Sequence, residues 1–115
     1  MPPKLNPLKL NDLQLRTLTL LQALAKLPDH SEAMPGGQSV RVFNLPHPHG
    51  NHFHLGDAVV AARDASGLGI EGAWRALERK GLVTKTLFPD SIELTPAGLA
   101  YDTGPAQLIL HHSDH

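Results

Sequence analysis

A chain of 115 residues is of single-domain size, long enough to bury one modest core and too short for two. Ten basic and eleven acidic residues leave a formal net charge of −1 at pH 7, so no global field favours nucleic acid, membrane or acidic substrate, and such binding must come from a local patch. Cysteine is absent, which excludes disulfides and thiolate metal sites, and neither an unbroken apolar leader nor a run of about 18 apolar residues occurs, so the expectation is a soluble cytoplasmic protein.

Residues 1 to 9 hold three prolines and read as a flexible arm. From Leu10 to Leu27 the apolar positions Leu10, Leu13, Leu18, Leu20, Leu21, Leu24, Ala25 and Leu27 fall on about half of a helical wheel, which predicts a helix with a wide apolar face. Asn11 or Asn6 is its candidate N-cap, and Pro28 with Asp29 marks its end. Leu15 points off this face, either as an ordinary exposed leucine or as part of a subunit contact.

"SEAMPGGQ", residues 31 to 38, reads as a loop. "SVRVFNL" then alternates as a strand does, "PHPHGN" breaks the run, and "HFHL" resumes it. The expectation is an extra β-hairpin with histidines at its turn and on its returning strand.

From Asp57, "DAVVAARDA" reads as a helix interrupted by "SGLG", and a second helix follows with Ile70, Ala73, Trp74 and Leu77 as its buried stripe. Gly81 lies where a helix-stopping residue in the left-handed conformation belongs. "LVTKTLF" and "SIELT" form two strands around "PDS", and "TPAGLAYD" gives a short helix with Thr95 as N-cap and Pro96 at its first position. Residues 104 to 115 add a short segment or trail off as a tail.

Two short helices joined by a glycine-containing turn, with a hairpin directly after the second, make a helix-turn-helix with a wing. "WRALERKGLVTKT" followed by "IELTPAG" resembles the winged-helix DNA-binding domains of bacterial transcriptional regulators of the MarR/PadR kind. The resemblance covers residues 57 to 102 and is weaker over residues 10 to 56. It implies an α+β winged-helix domain over residues 10 to 103, with a long N-terminal helix, the extra hairpin ahead of the helix-turn-helix, and duplex DNA as partner.

On the wheel, Gly72, Arg75, Ala76 and Arg79 then face outward. Two guanidinium groups at i and i+4 suit phosphates or guanine edges, while Gly72 and Ala76 leave room for the helix to enter a major groove. Lys80, Lys85 on the wing, Arg63 and Arg41 are candidate phosphate contacts. Against this, residues 57 to 98 carry five basic residues (Arg63, Arg75, Arg79, Lys80, Lys85) and six acidic ones (Asp57, Asp64, Glu71, Glu78, Asp90, Glu93). So few cations hold DNA weakly at physiological salt, which points to a homodimer, formed through the leucine-rich helix and the C-terminal segment. The alternative is a solvated helix face, or a protein–protein interaction module whose small residues admit a partner helix.

"HPHGNHFH" raises the further prospect of a zinc or nickel site at His47, His49, His52 and His54, and so of a metal-responsive regulator. His52 and His54 lie two apart and share a strand face, whereas Pro46 and Pro48 stiffen the chain around His47 and His49. The competing reading is a solvated polar turn or a pH-sensitive interface. "HHSDH" at the C-terminus is a second histidine group. No nucleophile sits in a recognisable setting and no glycine-rich phosphate loop is present, so an enzyme is not expected.

Overall fold

The structure, a computed structural model, describes residues 6–47 and 50–112. Helix α1 (Asp12–Leu24) starts at Asn11, whose Oδ1 accepts from the Gln14 backbone N–H at 2.8 Å while the Gln14 side chain accepts from the Asn11 N–H at 2.9 Å. This reciprocal capping box satisfies two donors that a helix start leaves unpaired. A 3-10 turn at Pro28–His30 follows, then strands β1 (Ser31–Ala33) and β2 (Val40–Phe43). Strands β3 (His52–Leu55) and β4 (Ala58–Ala61) lead into a 3-10 helix at Ala62–Gly69 and helix α2 (Glu71–Arg79). Strands β5 (Val83–Leu87) and β6 (Ser91–Leu94), helix α3 (Pro96–Ala100), a 3-10 helix at Gly104–Ile109 and strand β7 (His111–His112) complete the chain.

The fold is α+β, with two antiparallel sheets in the strand orders β1-β2-β6-β5 and β3-β4-β7. Leu18, Leu20, Leu21 and Leu24 of α1 are fully buried, and Val42, Val60, Trp74, Leu77, Ile92 and Leu94 close around them. Thr17 through Leu21 are all buried, so the middle of α1 is enclosed by its own chain. Leu15, expected off the apolar face, packs half-buried against the core. No helix among the described residues is long and apolar enough to cross a membrane.

The first and last described segments are tied to the core. The Tyr101 hydroxyl donates to Asn6 Oδ1 at 2.7 Å and accepts from the Leu8 N–H at 3.0 Å. The 3-10 helix Gly104–Ile109 lies on α1, and β7 extends the second sheet beside β4. The Tyr101 hydroxyl thus has the polar partners its half-buried ring requires.

Three local expectations are corrected. "SEAMPGGQ" contains β1, which pairs with β2 across the turn at residues 34 to 37. "SVRVFNL" and "HFHL" are not two arms of one hairpin: β2 pairs with β1 and β6, whereas β3 pairs with β4. "DAVVAARDA" is not a helix, because Ala58–Ala61 is the returning strand of that second hairpin. Gly56 and Asp57 form its two-residue turn, with Gly56 at φ +61° in the position where a type II′ turn needs glycine. Helical geometry begins only at Ala62, as a 3-10 helix that includes the "SGLG" segment and reaches α2 through Ile70 alone. Gly67 lets this segment sit against α1, since a Cβ there would collide with the Thr17 hydroxyl.

Candidate nucleic-acid interface

Helix α2 buries Ala73, Trp74, Ala76 and Leu77. Trp74 is fully enclosed and meets Phe88, in the β5–β6 turn, edge-to-face, with ring centroids 4.9 Å apart. Two expectations on this helix change. Ala76 is only 6% exposed and belongs to the buried side, so it does not clear a path outward. Ile70 precedes the helix in extended conformation and is 41% exposed. The helix is therefore rolled so that its inner arc centres on Ala73 and Leu77, leaving Glu71, Gly72, Arg75, Arg79 and Lys80 exposed.

The helix ends as expected. Gly81, at φ +76°, permits the Leu82 N–H to bond the Leu77 carbonyl at 3.1 Å and the Gly81 N–H to bond the Glu78 carbonyl at 3.0 Å. Thr95 caps α3 by accepting from the Gly98 N–H, and its hydroxyl also donates to the Gly81 carbonyl at 2.8 Å. A Cβ on Gly98 would strike the Leu82 carbonyl. "KGLV" and "LTPAG" are thus one contact seen twice in the sequence, a helix C-cap pressed against a helix N-cap.

Arg75 is the best-held cation on this face. Its guanidinium bonds Glu71 Oε2 at 3.1 Å, Glu78 Oε1 at 3.2 Å and the Thr86 hydroxyl on β5 at 2.8 Å. The Glu78 and Glu71 carboxylates hold its pKa above the ordinary arginine value, so it remains charged, but that charge is met by two others. The Glu71, Arg75 and Glu78 spacing of i−4 and i+3 is the signal that announces this pairing in the sequence.

On the outer face of the first sheet, Arg41 pairs with Glu32 at 2.9 Å and lies over the Phe43 ring. Lys85 reaches Glu93 at 3.6 Å from an irregular point in the β5–β6 ladder, where its own φ is +47°. Arg16 links α1 to the 3-10 helix through Asp64 at 3.2 Å. Arg63, Arg79 and Lys80 are exposed and make no ion pair among the described residues. Leu87, 63% exposed, ends β5.

No family model, curated protein or solved structure matches the chain. Its function is therefore argued from its own geometry.

The histidines divide between two places. His52 and His54 meet on one face of β3, with Nε2 atoms 3.1 Å apart. His47 instead lines a cavity of about 400 Å³ with Leu45, Phe53, Ala65, Leu68 and Pro89, on the side of β3 that Phe53 faces. His49 lies outside the described residues, as do residues 113 to 115 of the terminal group. Among the described residues, no three His, Cys, Asp or Glu side chains come together as a metal-holding group.

Proposed function

We propose that the chain is a winged-helix domain that binds duplex DNA as a transcriptional regulator, with α2 entering the groove and the β5–β6 hairpin serving as the wing. The observation that carries this reading is the union of an exposed Gly72, Arg75, Arg79 and Lys80 face on α2 with a hairpin stitched to it through Arg75, Glu78 and Thr86. A helix braced against its wing presents its cations in fixed register, and a fixed register is what phosphate contacts require. Gly72 has open space around it, so the backbone there can approach a ligand closely.

The cations divide by availability. Arg79, Lys80 and Arg63 are ready to contact phosphates, whereas Arg75 and Lys85 must exchange carboxylate partners for DNA. With three ready cations the salt dependence of one subunit is modest, with a slope of about −3 in log affinity against log salt. Efficient regulation then calls for a homodimer, and its contact has to lie outside the enclosed leucines of α1.

A second reading is a protein–protein interaction module. It is favoured by the pairing of Arg75 with Glu71 and Glu78, which leaves the face near neutral, and by the exposed Ile70 and Leu87 at its edges. Fluorescence anisotropy with a mixed-sequence duplex, from low to physiological salt, distinguishes the two. A regulator binds at low salt, loses affinity as salt rises, and is weakened by Arg79→Ala; an interaction module shows no duplex binding at the lowest salt.

A further inference from the structure

The second sheet turns Phe53, Leu55 and Val60 inward, with Leu55 and Val60 buried in the core. Alternation along the strands then puts His52, His54, Val59 and Ala61 on the outer face, since His52 is paired with Ala61 and His54 with Val59. His111 of β7 extends the His54–Val59 row by one more strand.

Within this face the two β3 imidazoles converge. Their rings lie nearly perpendicular, at 81°, with centroids 4.8 Å apart and the two Nε2 atoms 3.1 Å apart. Two zinc–imidazole bonds of about 2.0–2.1 Å at a tetrahedral angle place their nitrogens about 3.3 Å apart, so a cation between them needs a shift of only a few tenths of an ångström. The Nδ1 of His52 lies 3.4 Å from Asn51 Oδ1. An Nδ1–H donated to that oxygen leaves the Nε2 lone pair turned toward His54, the arrangement in which an outer partner fixes the ligating nitrogen of a histidine.

We propose that His52 and His54 form a two-imidazole chelate for a late first-row divalent cation. Such a cation replaces the proton shared between the two Nε2 atoms. Imidazole ligands suit copper(II), nickel(II) and zinc(II), and copper(II) binds tightest in that series. Neither His47 nor His30 belongs to the site, because the first faces the cavity beyond Phe53 and the Nδ1 of the second is engaged 2.6 Å from the Asn44 carbonyl. The site does not depend on the DNA-binding reading.

The test is calorimetric titration of the untagged full-length chain with zinc, nickel and copper(II), followed by imidazole 15N spectra of the zinc-loaded protein. One cation per chain is expected, with affinity lowered about tenfold or more by His52→Ala and by His54→Ala and unchanged by His47→Ala. The zinc-induced shifts should fall on the Nε2 atoms of His52 and His54. His54→Asn, which keeps a polar side chain on the strand, should lose the cation equally while melting as the unsubstituted chain does. No binding of any of the three cations, binding that survives His54→Ala, or shifts centred on His47 or His30 would overturn the proposal.

Discussion

Helix α2 with the β5–β6 hairpin and the β3–β4 hairpin differ in how they deal with polar groups, although both lie against the same core. On α2 and β5 most of the charges meet one another: Arg75 holds two glutamates and a threonine and Lys85 holds Glu93, while Arg79 makes no ion pair among the described residues. On the outer face of β3 the polar groups are imidazoles that meet each other edge-to-face. One surface is braced by ion pairs; the other is built from paired imidazoles. The comparison teaches that a cluster of arginines on a helix is not by itself an anion site, because glutamates one turn away can claim it first.

The largest effect expected from breaking this comparison is on the braced side. Trp74→Ala removes the fully buried ring that joins α2 to the β5–β6 turn, and should cost about 3–5 kcal/mol of stability in urea unfolding. On the hairpin side the turn is the weak point. Gly56→Ala forces a side chain into a left-handed backbone and toward the Leu27 methyl groups, for an expected loss of about 1–2 kcal/mol in the same measurement. The smallest effect on folding and the most informative one on function is the double substitution Glu71→Gln with Glu78→Gln. It releases Arg75 from its carboxylates, so duplex affinity at low salt should rise and the salt slope should steepen by about one unit. An unchanged slope would mean that Arg75 never meets phosphate.

What the sequence disclosed follows the same division. The start of α1, the stop at Gly81 and the start of α3 at Thr95 and Pro96 were legible because each is written within one helical turn. The β5–β6 hairpin was legible for the same reason. Sheet partnership was not, since Val42 finds Ile92 far along the chain and nothing local to "SVRVF" distinguishes that partner from "HFHL". The Gly56–Asp57 turn was a readable signal, but the alanines that follow it continue smoothly into "AARDA" and make a strand look like the first turns of a helix. At the candidate interface Arg75 and Arg79 were placed outward correctly, whereas Ala76 was not. The buried arc is shifted from Ile70 toward Ala76 by part of a turn, and wheel periodicity alone does not fix that phase.

The central claim is that duplex DNA meets α2 and the wing and not the histidine-bearing sheet. Backbone amide chemical-shift mapping on addition of a short duplex at low salt tests it most directly. The account expects perturbations concentrated on Gly72, Arg75, Arg79, Lys80 and the wing residues 84 to 90, with the amides of His52 to His54 unmoved. Shifts that centre on β3, or no shifts at any salt concentration, would contradict it.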